Sequence, residues 1–210
     1  MTHIVLLGDS IFDNKAYVGG GADVVTHLRA MIPDEWRATL NAVDGNVVED
    51  VARQLQKIPA DATHLFISAG GNNALRNADI LSLRANSAAE VFNALADRVG
   101  DFEYHYREML KIVLSRDLPT AVCTIYDPNF SDALMQKIAT AALRAFNDAI
   151  IRQAVAHGLP FLDLRLICSE RADYANEIEP SVAGGAKIAS AVVRAVMGHD
   201  FAGGIAGLYL

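Results

Sequence analysis

The segment IVLLGDSIFDN, residues 4–14, decides the fold of this chain. Its first four residues are aliphatic, as expected of a strand that is buried on both faces of a parallel sheet. Gly8, Asp9 and Ser10 follow at once, and the glycine lets the chain turn sharply. Ser10 therefore lies at the carboxyl end of the strand, the edge at which open α/β sheets bind ligands. A hydroxyl there is a candidate nucleophile, although Asp9 and Ser10 are also typical turn and capping residues.

The rest of the chain alternates between predicted strands and predicted helices. Further strands are predicted over residues 36–43, 63–68, 120–125 and 161–164. Helices are predicted over residues 22–31, 47–58, 88–99, 102–115, 131–156 and 183–197, with Gly100 separating the third helix from the fourth. This alternation predicts one domain spanning residues 1–210. Its fold class is α/β, with three layers (α/β/α) and a five-stranded parallel sheet of the flavodoxin-like type.

The composition is that of a globular protein, with 52% hydrophobic and 20% charged residues in a chain of 210. The net charge of −7 argues against a nucleic-acid or anionic-membrane partner, because both need clustered basic residues. No apolar run is long enough to span a membrane and no basic leader precedes the first strand, so a cytoplasmic protein is expected. Cys123 and Cys168 lack the spacing of a metal or redox motif and are predicted to be reduced.

Two further segments follow predicted strands at the same edge as Ser10. The second strand leads to Gly45, and the third leads to residues 70–73, Gly-Gly-Asn-Asn. Each has an ordinary explanation, since Gly45 suits a plain turn and Asn72 tolerates the left-handed backbone of a turn. Together with Ser10, however, they predict a functional site.

These segments, in this order, resemble the GDSL/SGNH hydrolase family of serine esterases and lipases. Members carry Gly-Asp-Ser after the first strand, a Gly in a second block, Gly-x-Asn-Asp in a third and Asp-x-x-His-Pro near the C-terminus. Residues 8–10 match the first block fully, and Gly45 stands in the second. Residues 70–73 match the third block except that the final Asp is replaced by Asn73. The resemblance covers nearly the whole chain and also implies the three-layer fold.

The last block departs from the family's pattern at its two chemical positions, with Asn176 in place of Asp and Glu179 in place of His, ahead of Pro180. An ordinary Glu titrates about two units below an ordinary His, so it is a weaker proton acceptor by roughly 3 kcal/mol. Burial raises the pKa of a carboxyl and would recover this difference. The Asn176 amide would be able to donate to a Glu179 carboxylate, which an Asp would repel. The alternative is that Glu179 is a solvated loop carboxylate.

The resemblance implies a serine hydrolase that cleaves carboxylic esters with Ser10 as nucleophile and Glu179, supported by Asn176, as a non-standard base. It implies an oxyanion hole made of the Ser10 and Gly45 backbone N–H groups and the Asn72 side chain. It calls for no metal and no other cofactor. The expected substrate is a small acyl ester, because the predicted short loops suggest an open site.

Two alternatives remain open at this point. His105 is the one histidine predicted to start from the carboxyl edge, so it is the alternative base. The function itself has alternatives: a binding protein that kept the pocket but lost the His base, or another hydrolytic or transfer reaction in which Glu179 acts directly. A Glu base predicts activity that survives into mildly acidic conditions, whereas a His105 base predicts loss of activity below its pKa near neutrality.

Overall fold

The computed structural model describes all 210 residues, and its centre is a parallel sheet of six strands. The strands are β1 (His3–Gly8), β2 (Arg37–Leu40), β3 (His64–Ser68), β4 (Thr120–Cys123), β5 (Phe161–Leu162) and β6 (Leu208–Tyr209). They lie in the order β2-β1-β3-β4-β5-β6, and every neighbouring pair is parallel. The carboxyl ends of β1 and β3 therefore meet at one edge, where Gly8 lies opposite Ser68.

The sixth strand is an addition to the predicted five-stranded sheet. After the last helix the chain returns along β5, where the Phe161 N–H donates to the Gly207 carbonyl at 2.8 Å and the Asp163 N–H donates to the Tyr209 carbonyl at 3.2 Å. A strand of two residues is too short to show an alternating pattern in the sequence. The predicted three-layer arrangement is confirmed, and the number of strands is corrected from five to six.

Helices cover both faces of the sheet. They are α1 (Val24–Met31), α2 (Val51–Gln54), α3 (Gly71–Arg76), α4 (Ala88–Leu114), α5 (Ala133–Ala156), α6 (Leu164–Ile167) and α7 (Val182–Gly198). Ile4 and Leu6 of β1 pack in one core cluster with residues of α1 and α7, whereas Val5 and Leu7 pack in another with residues of α2, α4 and α5. Successive strand residues point to opposite faces, so β1 is buried from both sides, as its aliphatic run predicts.

Helix α4 corrects the prediction that Gly100 separates two helices. It runs unbroken for 27 residues through Gly100, which is exposed on its surface. A glycine inside a helix costs only about 1 kcal/mol relative to alanine. Burial of the helix's apolar face offsets that cost, and its buried residues are Phe102, Tyr106, Met109, Leu110 and Val113. Neither α4 nor any other helix combines the length and the apolar character needed to cross a bilayer.

Candidate active site

Ser10 is placed by the tight junction between β1 and β3. Gly8 has φ +121°, and a Cβ at this position would lie 1.7 Å from the carbonyl oxygen of Ser68. Only glycine fits there, and the Asp9 N–H consequently donates to the Ser68 carbonyl at 3.0 Å. Ser10 follows with 7% exposure, and its own backbone N–H has no acceptor within the protein. The hydroxyl and one free N–H group of Ser10 are thus held at the carboxyl edge.

Gln54 of α2 completes this junction, and its role was not predicted from the sequence. Its side-chain oxygen accepts from the Gly8 N–H at 2.7 Å, and its amide donates to the Gly8 carbonyl at 2.8 Å and to Asn46 Oδ1 at 3.0 Å. The side chain is buried and satisfies the backbone N–H and carbonyl of Gly8 at the end of β1, as a neighbouring strand would. In the sequence it is only a polar residue at a helical position, which gives no sign of this pairing.

Glu179 lies directly beside the Ser10 hydroxyl. Ser10 Oγ donates to Glu179 Oε1 at 3.1 Å, and the other carboxyl oxygen is buried without a partner. Only 6% of the residue is exposed, so it is not the solvated loop carboxylate of the alternative interpretation. Burial raises the pKa of Glu179 from 4.5 to about 7; the Ser10 hydroxyl opposes this shift and the negative charge of Asp44 adds to it.

The loop that carries Glu179 is folded around Asn176. The side-chain oxygen of Asn176 accepts from the backbone N–H groups of Ile178 and Glu179, both at 2.9 Å. The Ala175 N–H donates to the Glu179 carbonyl at 2.8 Å, which closes the turn. The predicted donation from the Asn176 amide to the Glu179 carboxylate is not found. Asn176 instead positions the backbone that bears the carboxylate, because its oxygen is engaged in an Asx turn.

Neighbouring elements tie this loop down from two sides. Tyr126, after β4, donates its hydroxyl to the Ile178 carbonyl at 2.5 Å. Asn14, after β1, is fully buried and donates to the Pro180 carbonyl at 3.1 Å, while its side-chain oxygen accepts from the Val24 N–H at 3.0 Å. The structure makes Asn14 a bridge between the Ser10 turn, α1 and the Glu179 loop.

The other two predicted oxyanion-hole residues, Gly45 and Asn72, are connected through Asn46, the residue that follows Gly45. Asn72 lies in α3, directly after β3, and its amide donates to the Asn46 carbonyl at 2.9 Å. Gly45, the preceding residue of that turn, has φ +78°, and its N–H has no acceptor within the protein. Asn72 lines the cavity that contains Ser10 and Glu179, whereas Gly45 lies outside the lining on an exposed turn. One of the two amide hydrogens of Asn72 remains available to a ligand.

Asn73 stands where the family pattern has an aspartate, and both ends of its side-chain amide are hydrogen-bonded. Its side-chain oxygen accepts from the Val48 N–H at 3.1 Å, and its amide donates to the Glu49 carboxylate at 3.1 Å. Asn73 therefore ties α3 to Val48 and Glu49.

Asp9 is a second buried carboxyl at this site, and its state was not predicted from the sequence. It is 2% exposed and lines the same cavity as Ser10. Burial raises the pKa of Asp9 from 3.8 to about 7; the Ile11 N–H opposes the shift and the charge of Glu179 adds to it. No Lys, Arg or His forms an ion pair with either carboxyl. Two carboxyls without a cation therefore flank the candidate nucleophile.

No histidine lines the cavity. His105, the alternative base, is 46% exposed and lies 3.8 Å from Glu49 on the surface. His3, at the opposite end of β1, is bonded to Asp61 and Thr39. The only group that the structure places within hydrogen-bonding distance of the Ser10 hydroxyl is Glu179.

The cavity itself has a volume of about 510 Å³, and 17 of its 28 lining residues are hydrophobic. Its walls come from α3 and the turn after it, from α4, and from α5. Ser10, Asn72 and Glu179 are among its polar lining residues. An apolar cavity with a few polar groups is typical of a small-molecule site.

Several solved structures share this fold. An extracellular lipase from Streptomyces rimosus has a TM-score of 0.68 and 16% identity, over 89% of this chain and 96% of that chain. Phospholipase A1 from Streptomyces albidoflavus NA297 has a TM-score of 0.65 and 16% identity, over 89% and 95%. Esterase EstA from Pseudoalteromonas sp. has a TM-score of 0.63 and 13% identity, over 94% and 97%. No curated protein matches the chain by sequence.

The family to which the chain belongs follows from its sequence rather than from these distant structures. A family model described as the GDSL-like Lipase/Acylhydrolase family matches residues 6–186. The matched range contains Ser10, Gly45, Asn72 and Glu179, so it includes the whole candidate site. The chain therefore belongs to the GDSL-like lipase/acylhydrolase family.

Proposed function

We propose that this protein is a serine hydrolase of carboxylic esters in which Ser10 is the nucleophile and Glu179 the general base. The observation that carries the proposal is the hydrogen bond of 3.1 Å from Ser10 Oγ to Glu179 Oε1. Family membership and the lipases and esterases among the structural neighbours support hydrolysis of esters as the class of reaction. A nucleophile in hydrogen-bond contact with its base is the arrangement that acyl transfer through serine needs.

In the first half of the reaction, Ser10 Oγ attacks the ester carbonyl carbon while its proton passes to Glu179. The carbonyl oxygen becomes an oxyanion. When the intermediate collapses, the bond to the leaving alcohol breaks and Glu179 returns the proton to the alkoxide oxygen. Water then attacks the acyl-serine by the same route and releases the carboxylic acid and free Ser10.

We assign three donors to the oxyanion: two on the cavity lining, from Ser10 and Asn72, and the Gly45 N–H from the exposed turn outside that lining. The Ser10 and Gly45 N–H groups have no acceptor within the protein, and Asn72 has one amide hydrogen left after its bond to Asn46. Donors of this kind act where charge develops in the transition state, and removal of one typically costs about 10²- to 10³-fold in rate. The family resemblance assigns the same three groups to this role.

The pKa of Glu179 supports its role as base. A pKa of about 7 is close to that of an ordinary histidine, roughly 6.5, so the carboxylate accepts a proton about as readily as the imidazole that it replaces. Asn176 supports this role of Glu179 by fixing the backbone of the loop. The carboxylate that orients the histidine of a triad has no counterpart in this site.

A binding protein without turnover is the second candidate, and the absence of histidine from the cavity favours it. Loss of the base in a serine triad lowers turnover by about six orders of magnitude in the best-studied case. If Glu179 does not accept the Ser10 proton, the apolar cavity would still hold an acyl ligand.

Labelling with a fluorophosphonate probe separates these two candidates. We expect the native protein to be labelled, Ser10→Ala to be unlabelled, and Glu179→Gln to be labelled at least a hundredfold more slowly. Glu177→Gln is the matched control because Glu177 is exposed in the same loop and its side chain makes no hydrogen bond. Equal labelling of native protein and Glu179→Gln would move the base elsewhere. No labelling of the native protein between pH 5 and pH 9 would leave the binding protein as the better account.

A further inference from the structure

One face of α5 forms a continuous wall of the Ser10 cavity. The lining residues on this helix are Met135, Ala139, Ala142, Leu143 and Phe146, which recur at the spacing of a single helical face. Met135 is 40% exposed, whereas Phe146 is 3% exposed and packs on Phe102 at a ring distance of 5.1 Å. From Met135 to Phe146 the wall extends roughly 16 Å, at about 1.5 Å per residue.

The facing walls are also apolar. Leu75, Ile80 and Leu81 follow β3, Leu95 comes from α4, and Ile125 follows β4. Leu75 and Leu81 are partly exposed, whereas Ile80 is buried, as expected of walls that run from a mouth to a floor.

One cationic residue, Arg98 of α4, also lines the cavity. It pairs with Asp79 at 2.9 Å, and its Nε is left as a single unpartnered donor. Its charge is thus balanced by Asp79, so Arg98 does not demand an anionic ligand.

The two alanines on the α5 wall give the cavity its width. Ala139 and Ala142 lie between the larger side chains of Met135 and Phe146, and both are only partly buried although they face inward. A cavity of this length is deeper than the small acyl group expected from the sequence requires. A straight hydrocarbon chain is the chemistry that fits a long slot with apolar walls.

We propose that the substrate is an ester with an unbranched acyl chain of medium length, which lies along α5 over Ala139 and Ala142. This inference rests on the proposed hydrolase function and adds the substrate class. Each methylene that enters an apolar site contributes up to about fourfold in affinity or in kcat/KM. A chain of eight to ten carbons is therefore favoured over acetyl by tenfold or more.

The test compares p-nitrophenyl esters from acetate to dodecanoate on the native protein and on three variants. We expect kcat/KM of the native protein to rise at least tenfold from acetate to octanoate or decanoate. In Ala139→Phe and Ala142→Phe, the ratio of kcat/KM for octanoate or decanoate to kcat/KM for acetate should fall close to one. Ala141→Phe is the matched control, because Ala141 is on the exposed side of the same helix and should leave the profile unchanged. A preference for acetate, or equal losses at all chain lengths in both cavity variants, would overturn the proposal.

A second series of esters and a binding measurement test the acyl-chain site separately from the hydrolase proposal. Acetate esters of alcohols of increasing length should show little length dependence; a tenfold rise would place the alcohol in the cavity and overturn the acyl assignment. Uncharged methyl ketones avoid repulsion by the Asp9 and Glu179 carboxyls, so 2-undecanone is expected to raise the melting temperature well above the effect of 2-butanone. This difference should shrink in Ala142→Phe. Ketone binding without ester turnover would reject the hydrolase proposal and retain the acyl-chain site. Ester turnover without any chain-length effect would retain the hydrolase proposal and reject the acyl-chain site.

Discussion

The nucleophile and its partner are held by two different kinds of structure. The Ser10 turn is fixed by the sheet, since Gly8 lies in contact with the Ser68 backbone and is paired with Gln54 as if with a further strand. The loop around Glu179 has hardly any regular structure and is held by side chains that bond to its carbonyl and N–H groups. The first region tolerates almost no change in the backbone. The loop around Glu179 is stabilised by several separate hydrogen bonds, so single substitutions there should have graded effects rather than abolish the structure.

The largest effect is expected at the rigid end of this comparison. In Gly8→Ala the new methyl group would overlap the Ser68 carbonyl at 1.7 Å, in a backbone conformation that L-residues rarely adopt. We expect the free energy of unfolding to fall by more than about 3 kcal/mol, or the protein to fail to fold. Urea denaturation followed by circular dichroism measures this directly.

Gly19→Ala is the control for the glycine prediction. Gly19 also has a positive φ, +54°, but a Cβ there would meet nothing within 4 Å. The expected cost is the backbone term alone, about 1–2 kcal/mol. Similar losses in the two variants would show that the contact with Ser68 does not constrain the Ser10 turn.

The second prediction concerns the protonation of Glu179. Its folded pKa of about 7 lies above its ordinary value of 4.5, so kcat/KM should fall about tenfold per pH unit as the pH drops below about 7. This corrects the expectation, drawn from an ordinary Glu, that activity survives into mildly acidic conditions. The pH profile alone therefore no longer distinguishes Glu179 from His105, and the variants must do so. Glu179→Gln should lose three or more orders of magnitude in kcat, whereas His105→Ala should retain native activity.

The same pKa has a consequence for stability. A carboxyl whose pKa is raised in the folded state binds its proton more tightly when folded, so it favours folding below pH 4.5 and loses this contribution as the pH rises through about 7. Glu179→Gln removes a buried charge at pH 8 and should increase the free energy of unfolding there by about 1–2 kcal/mol, with little change at pH 4.5. A lower stability at pH 8 would mean that the ionised carboxylate is stabilised by its surroundings.

The contrast between the two regions also explains what could be predicted from the sequence. The Ser10 turn is local, since an aliphatic run followed by Gly-Asp-Ser specifies a buried strand, its end and a serine at the carboxyl edge within 11 residues. The alternation of helices and strands predicts that the strands are parallel, and parallel strands bring Ser10 and Asn72 to one edge of the sheet.

The remaining features depend on contacts that are distant in the chain. Gln54 reaches Gly8 across 46 residues, and Tyr126 reaches Ile178 across 52, with no pattern in the sequence to mark either. The depth of the cavity depends on how α5 packs over the sheet, so the spacing of Ala139 and Ala142 has a meaning only once that packing is known. The wrong break at Gly100 has the same cause, because tertiary burial along α4 outweighs the local preference of one glycine.

The smallest effect is expected from Asn176, and it tests whether the loop depends on several separate bonds. Asn176→Ala removes the acceptor of the Ile178 and Glu179 N–H groups, but the bonds from Tyr126 and Asn14 remain. We expect kcat to fall about tenfold, far less than in Glu179→Gln, because the carboxylate is misplaced rather than absent.

Asn176→Asp is the informative control, since its carboxylate keeps both acceptor bonds and adds a negative charge near Glu179. It should restore kcat at high pH and shift the acid limb of the pH profile to higher pH, because a like charge raises the pKa of Glu179 further. If Asn176→Asp is as impaired as Asn176→Ala at every pH, the Asx turn is not what positions the base, and the amide group of Asn176 must act in another way.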